Sequence, residues 1–393
     1  MTAQRNPVPE TTMTSRQYID VHIIQTVPPA NLNRDDQGNP KEAHFGGTRR
    51  SRVSSQAWKR ATRLHFTERI SPQDLGTRTK RIAGKLAERI GDIAQVDTAT
   101  ASRLTGALLT PLGITAGRKE GDTAYLFFYG RRQLDAVAAL VGDRAAELAA
   151  LDDEKLAAEI KQLPVRDTFR TGHPIDVALF GRMVADIPAL NVDAAVQVAH
   201  ALSTHTTELE FDYYTAVDDE NEKEETGAGM IGTIGFNSAT LYRYATIGMH
   251  QLVDNLSDEK SAADAVVQFL TSFARSMPTG YQNSFAHHTL PRLVAVTVRT
   301  DQPVNLVSAF EEPVTPATET RAGIAPASIQ RLAREQLTAV RAWGNAPAFT
   351  AHCHTLAPEH GETVGVLEEA FGAPRSFDVL LTDVRTHLTG GEA

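Results

Sequence analysis

The sequence of 393 residues contains one cysteine, Cys353, and only 6% aromatic residues. A single thiol excludes an internal disulfide and a cysteine-based zinc site, and fits a protein of the reducing cytoplasm. No apolar run approaches the roughly 20 residues that a membrane-spanning helix needs, and the N-terminal segment lacks the apolar stretch of a secretory signal. We therefore expect a cytoplasmic protein without membrane segments, with residues 1–16 as a disordered lead.

The motifs of nucleotide-driven and nucleophilic enzymes are also missing. The chain has no Walker A loop and no GxSxG or HExxH sequence. Its paired histidines have no third candidate ligand nearby or do not share a helix face: His200 and His205, His287 and His288, His352 and His354. The sequence therefore predicts no catalytic residue, no bound metal and no cofactor.

Positive charge is concentrated in one short stretch of an acidic chain. The net charge is −9, yet residues 45–66 contain six lysines and arginines and no aspartate or glutamate. A protein that coats nucleic acid over its whole surface would be basic throughout. A local basic stretch on an acidic body instead predicts one strand of nucleic acid held in one track.

This basic stretch runs from a polar loop, predicted over residues 28–48, into a predicted helix. Turn-forming residues such as Gly46 and Gly47 mark the loop, and Ser54 or Ser55 is the predicted N-cap. Four polar residues share one helix face: Gln56, Lys59, Arg60 and Arg63. The opposite face is typical of a core-facing one: Ala57, Trp58, Ala61 and Leu64. A cationic row commonly just faces water, but here it stands at a helix start, where backbone amides also favour anions. The acid-free run, the double glycine and the serine pair favour a polyphosphate partner.

Elsewhere strands and helices interleave, which predicts an α/β or α+β fold. The predicted strands are 18–27, 123–130, 176–183, 292–300 and 375–383. The predicted helices include 192–203, 258–276 and 326–343, with a mainly helical block over 74–162. Two strand patterns on either side of an acidic, glycine-containing loop, 218–232, predict a long β-hairpin.

Several motifs, in order, resemble the CasC family, the backbone subunit of the type I-E CRISPR surveillance complex, Cascade. They are LNRDD, FGGTRRSRVSSQAWKRA, YYTAVDD and LYRYA. The resemblance runs from about Tyr18 to the C-terminal Gly-Glu-Ala and is densest at 31–63, 176–183, 197–219 and 232–247. It implies a modified RRM (ferredoxin-like) core with a helical insertion and a protruding β-hairpin. We expect a palm of residues 17–70 and 165–393, helical fingers over 70–165 and a thumb hairpin over 204–235.

The same resemblance implies a non-catalytic scaffold that binds guide RNA. In the family, several copies polymerise along one CRISPR RNA beside other Cascade subunits, and target DNA pairs with the exposed guide bases. The implied phosphate and sugar contacts are Arg34, Lys41, Arg49, Arg50, Arg52, Lys59, Arg60 and Arg63. Neutral hydrogen bonds are implied for Asn33, Ser54, Ser55 and Gln56. Such contacts position RNA without reading its sequence.

The predicted hairpin carries Phe211, Tyr213 and Tyr214, for which the residues alone favour cross-strand packing over base stacking. Arg182 could pair with a phosphate, and Met183 on its own would be interpreted as core filler. The resemblance reverses both interpretations, because family members place large side chains here against a kinked guide RNA and use Gly-Arg-Met on the RNA side. We therefore include all five residues in the predicted RNA-binding set.

Two alternatives remain open at this point. Asp35 and Asp36 could belong to a metal-dependent ribonuclease, as in the backbone subunits of related type III complexes, although Gln37 and His44 do not fit an EF-hand loop. The second alternative is a self-assembling structural protein, in which the basic patch contacts an acidic patch of a neighbouring copy. RNA co-purification and a divalent-metal cleavage assay distinguish the three.

Overall fold

A computed structural model describes residues 16–114, 122–124, 126–184, 187–216, 230–315 and 323–391. Within these ranges the chain is a mixed α/β protein, which confirms the predicted fold class. The strands are β1 Tyr18–Ala30, β2 Glu42–Phe45, β3 Thr48–Val53, β4 Gly76–Thr79, β5 Phe127–Gly130, β6 Val196–Val198, β7 Ala201–Ser203, β8 Glu210–Ala216, β9 Met230–Gly248, β10 Leu293–Arg299 and β11 Phe349–His354.

The helices are distributed between and after these strands. They are α1 Ser55–Phe66, α2 Ile82–Ala94, α3 Thr98–Leu109, α4 Arg131–Ala139, α5 Ala145–Ala149, α6 Asp153–Gln162, α7 Val165–Arg170, α8 Ile175–Phe180, α9 Met249–Leu256, α10 Glu259–Arg275, α11 Gln282–Phe285, α12 Ile324–Trp343, α13 Gly361–Phe371 and α14 Phe377–Leu388. No helix of the described ranges is both long and apolar enough to cross a bilayer.

One antiparallel sheet organises the fold, in the order β11-β10-β1-β9-β7-β3-β2. The long strand β9 also pairs with β6 and with β8. Alternate side chains of β1 point to opposite faces: Val21 and Ile23 join a core with α1, α9, α10 and α14. Ile24 joins a second core with α12 and α13. Helices therefore cover both faces of the central strand, so its polar residues Asp20, His22 and Gln25 are buried along with its apolar ones.

Residues between Ile82 and Leu190 form a separate hydrophobic cluster. Leu86 and Ile90 of α2 pack there with Leu104 of α3 and with Phe127 and Phe169. The small β4–β5 sheet lies at its border. This part of the chain buries its own apolar side chains, as an inserted subdomain requires.

Three predicted elements are wrong in type. The predicted strand 176–183 is mostly helix α8, which ends at Gly181 with φ +75°. The predicted last strand 375–383 is helix α14, capped by Ser376, with Leu380 and Val384 buried one turn apart. Short apolar runs carry both periods, so periodicity alone cannot decide between helix and strand.

The predicted helix over 192–203 is also wrong, since the chain there forms β6 and β7. Val196 pairs with Ile247 and Leu202 pairs with Tyr242, both on β9. Pairing with the long central strand outweighs the helix propensity of the alanines. Strand 123–130 shrinks to β5, and β1 continues to Ala30 through two prolines, which a register shift after Val27 accommodates.

The predicted hairpin is present as β8 and the first part of β9. Tyr213 lies opposite Thr233, and Tyr214 lies opposite Gly232. The acidic segment predicted to project from the hairpin falls largely at 217–229, outside the described residues, as do residues 1–15 of the predicted disordered lead. Of the three aromatic residues, Tyr213 and Tyr214 lie in the half of β8 nearer that connection, and Phe211 lies near the start of the strand.

Candidate nucleic-acid interface

A polar groove of about 730 Å³ runs between the loop after β1, the start of α1 and residues 277–281. Six of the residues predicted to bind RNA line it: Asn33, Arg34, Lys41, Ser54, Gln56 and Arg60. Its cations Arg34, Lys41 and Arg60 make no ion pair with any residue that the structure describes. The groove therefore presents three cations that have no ion-pair partner among the described residues.

Asparagines and one aspartate hold the groove loop in place. The Asn33 Oδ1 accepts the Ser54 N–H at 2.9 Å, which ties the loop to the start of α1. The Asp35 carboxylate accepts the N–H groups of Gln37 and Asn39, each at 2.9 Å. Because Asp35 closes this turn, its carboxylate has a structural role that its sequence position alone does not reveal.

Asn31 joins the same loop to the hairpin strand β9. It is completely buried, and its Nδ2 donates to the carbonyls of Gly38 and Gly235 at 2.9 and 2.8 Å. A buried amide with two main-chain partners restrains both segments. The loop that carries Arg34 is thus fixed relative to the base of the hairpin.

The start of α1 confirms Ser54 as the N-cap, since its Oγ accepts the Ala57 N–H at 3.3 Å. The next amide, Ser55 N–H, donates to Nδ1 of His200 at 2.9 Å. Desolvation, followed by the charges of Arg52 and Lys41, lowers the pKa of His200, which keeps Nδ1 available as an acceptor. The helix amides predicted to favour an anion are therefore largely used within the protein. Sequence reasoning missed His200 because its partner lies 145 residues away.

The cations predicted to bind RNA fall into two groups. Arg34, Lys41, Lys59 and Arg60 are free of ion pairs within the described ranges. The others have protein partners. Arg49 pairs with Glu42 at 2.9 Å, Arg52 donates to the Glu42 carbonyl, and Arg63 pairs with Asp176 at 3.1 Å. The local charge count therefore overstates the cationic surface available to a ligand.

Two of the predicted RNA-binding arginines lie in the interior instead. Arg50 is fully buried and donates to the carbonyls of Ser203, Phe310 and Glu311 at 2.9–3.1 Å. Arg182 is buried and donates to the carbonyls of Leu190, Phe128 and Phe169. Desolvation lowers the pKa of Arg182 to about 10. These guanidinium groups cross-link main-chain segments, so both are left out of the RNA-binding set proposed below.

The polar face of α1 is divided between two surroundings. Gln56 and Arg60 line the groove. Lys59 is half-buried, and desolvation lowers its pKa, while Arg63 turns toward the buried Asp176. Leu64, predicted to face the core, is 44% exposed at the edge of the groove. The helix therefore presents a narrower cationic face than the sequence predicts.

The hairpin and the turn after α8 expose large apolar side chains. Met183 is 83% exposed, and Phe211, Tyr213 and Tyr214 are 62%, 63% and 47% exposed. Tyr214 lies directly over Gly232, where an added Cβ would come within 2.4 Å of the ring. Exposed aromatic and apolar groups on a polar surface are suited to contact with another molecule, unlike the core-filling role that the residues alone suggested for Met183.

No group of three or more metal-ligating side chains is present in the described ranges. Asp35 and Asp36 are both exposed, and the turn-forming role of Asp35 accounts for one of them.

Comparisons with known proteins agree on one family. The model of the family described as CT1975-like protein matches residues 19–374. A solved chain titled "CRISPR RNA-guided surveillance complex, pre-nicking" is 29% identical, with a TM-score of 0.77, over 95% of this chain and 100% of its own. Another, titled "CRISPR RNA-guided surveillance complex", is 27% identical, with a TM-score of 0.70, over 94% and 99%. No curated protein matches. Because the family model spans nearly the whole chain, the protein belongs to the CT1975-like family, which confirms the CasC-like resemblance of its motifs.

Proposed function

We propose that this protein is a non-catalytic scaffold that binds guide RNA in a type I-E Cascade complex. The observation that carries the proposal is the groove with three unpaired cations, in a chain similar over its length to chains of RNA-guided surveillance complexes. Several copies polymerise along one CRISPR RNA in the cytoplasm, next to other Cascade subunits. Target DNA then pairs with the guide bases that remain exposed.

The proposed phosphate contacts begin with the unpaired cations Arg34, Lys41, Lys59 and Arg60. Arg49, Arg52 and Arg63 remain in the set, because each keeps guanidinium N–H groups that no described residue accepts. Asn33, Ser54, Ser55 and Gln56 supply neutral hydrogen bonds beside them. All of these groups suit the sugar–phosphate backbone, which is the same for every guide.

The exposed Met183, Phe211, Tyr213 and Tyr214 would displace guide bases at a fixed interval along the filament. Unstacking a base costs a few kcal/mol, which stacking on an aromatic ring, at about 1–3 kcal/mol per base, can offset. We also propose the division into palm, fingers and thumb. The separate cluster between Ile82 and Leu190 supports the fingers and extends their core beyond residue 165.

Salt dependence of guide binding tests the scaffold proposal. Each phosphate contact contributes about −0.7 to the log–log slope of affinity against salt for a single strand. Fluorescence anisotropy with labelled guides of unrelated spacer sequence should therefore give steep, equal slopes and similar affinities. Binding that ignores salt, or that differs by orders of magnitude between spacers, contradicts the proposal.

A cleavage assay tests the metal-dependent ribonuclease as the competing function. Protein loaded with guide RNA is incubated with a complementary RNA in Mg²⁺ or Mn²⁺, and we expect the RNA to remain intact. The Asp36→Ala variant is the matched control, since Asp36, unlike Asp35, makes no hydrogen bond to a described residue. Regular fragments that disappear in this variant would establish the nuclease.

A further inference from the structure

The groove has a second wall, residues 277–281, which the sequence motifs did not single out. Gly280 brings this wall close to the groove loop. A Cβ at Gly280 would lie 2.5 Å from the carbonyl oxygens of Asn31 and Leu32. Only glycine allows so close an approach of two main-chain segments. The next residue, Tyr281, is thereby held opposite the loop.

Tyr281 has a left-handed backbone conformation, with φ +49°. This conformation is common for glycine but uncommon for a residue with a large side chain, and it persists where the surrounding structure imposes it. Such residues cluster at functional sites. Here Tyr281 lines the groove and is 37% exposed.

The guanidinium carbon of Arg34 lies 4.7 Å from the centroid of the Tyr281 ring. The same ring meets Phe285 edge-on, with 6.4 Å between ring centroids and an interplanar angle of 87°. Phe285 packs in turn on Phe236 of β9, at 5.8 Å between ring centroids. An aromatic row thus connects the support of Arg34 to the strand that forms the hairpin.

A planar guanidinium held beside an aromatic ring keeps its N–H groups available, because they radiate in its own plane. None of the guanidinium N–H groups of Arg34 donates a hydrogen bond to a described residue. The charge is therefore held in place without being neutralised. A phosphate accepts hydrogen bonds from two such parallel N–H groups.

We propose that Tyr281 is a positioning residue that orients the Arg34 guanidinium toward a phosphate of the guide backbone. This inference rests on the proposed RNA-binding function and adds to it a residue outside the basic stretch. The ring acts through Arg34, by restricting a long flexible side chain before RNA arrives. Stacking of a guide base on Tyr281 itself is the alternative that the experiment must distinguish.

A double-mutant cycle between Tyr281 and Arg34 makes that distinction. Tyr281→Asn removes the ring while tolerating the left-handed backbone, and Tyr281→Phe retains the ring as the conservative control. Affinity for a labelled guide RNA is measured at several KCl concentrations, with thermal unfolding as the check on the fold. We expect Tyr281→Asn to weaken binding about threefold, as an exposed cation–π contact would, and Tyr281→Phe to bind as the parent does.

The effect of Tyr281→Asn in two variant backgrounds distinguishes positioning of Arg34 from base stacking on Tyr281. In Arg34→Ala, which itself should lower the salt slope by about 0.7, Tyr281→Asn should cause no further loss. In the matched Lys41→Ala background it should still cause the threefold loss. Equal losses with and without Arg34 would overturn the inference in favour of base stacking, and an Arg34→Ala variant that binds normally would overturn it as well. Failure of the parent protein to bind guide RNA would overturn the proposed function itself.

Discussion

The interior of the sheet and the groove beside α1 use arginine in opposite ways. In the interior, Arg50 and Arg243 donate to main-chain carbonyls and lose their contact with water. The Arg243 guanidinium also lies 3.7 Å from the centroid of the Trp58 ring, and desolvation lowers its pKa to about 9. In the groove, Arg34 and Arg60 have no acidic partner among the described residues.

The difference shows that local charge density does not by itself map a nucleic-acid surface. An interior arginine stabilises the fold because its guanidinium donates to carbonyl oxygens that would otherwise be buried without a partner. A groove cation contributes little to the fold and remains available to a ligand. Adjacent residues of β3 also differ in burial: Arg50 lies in the interior and Arg49 is exposed, because successive strand residues face opposite ways.

The largest expected effect separates these two neighbours. Arg50→Met should lower the free energy of unfolding by about 4 kcal/mol, because three buried carbonyls lose their donor. Arg49→Met removes only an exposed ion pair with Glu42 and should cost less than about 1 kcal/mol. Urea unfolding monitored by circular dichroism measures both. Equal losses would mean that the two arginines do not differ in role.

A similar comparison applies one helical turn apart on α1. Arg63→Ala leaves the buried carboxylate of Asp176 with the Gly76 N–H as its one hydrogen-bond donor among the described residues, and should lower stability by about 3 kcal/mol. Lys59→Ala, which breaks no ion pair among the described residues, should change stability by less than about 1 kcal/mol. The same urea titration gives the answer. A stable Arg63→Ala protein would place Arg63 with the groove cations instead.

The smallest effect concerns pH and the buried ring of His352. Desolvation lowers its pKa to about 4 in the folded protein, against about 6.5 in the unfolded chain. The unfolded chain therefore binds the additional proton between these values, so stability is present above pH 6.5 and falls as the pH is lowered. His352 accounts for a loss of about 2 kcal/mol in the free energy of unfolding between pH 7 and pH 5.

Unfolding titrations at both pH values should show that His352→Phe loses about 2 kcal/mol less stability than the parent over this interval. His44→Phe, at an exposed position of β2, is the matched control and should keep the parent's pH dependence. Desolvation also lowers the pKa of His22, to about 3, which acts in the same direction in all three proteins. An unchanged slope in His352→Phe would mean that this ring does not titrate as its burial requires.

The sequence by itself determined the features that depend on neighbouring residues. Ser54 caps α1 because a hydroxyl next to the first helical amides needs no distant partner. Gly46 and Gly47 form the β2–β3 turn because both turn positions require positive φ, which glycine adopts without strain. A side chain at Gly46 would also overlap the Glu311 carbonyl. The long periodic segments α10 and α12 and the apolar strand β10 were likewise predictable, and the ordered motifs indicated the family.

Only the tertiary structure decided what depends on partners distant in the chain. Residues 196–198 and 201–203 form strands because they pair with the main chain of β9. Arg50 is structural because it donates to the carbonyls of Ser203 and Phe310 inside the fold. Tyr281 meets Arg34 across nearly 250 positions, through the close approach of Gly280 to the groove loop. No local period or charge count encodes such a contact, since its free energy arises when the core brings the two segments together.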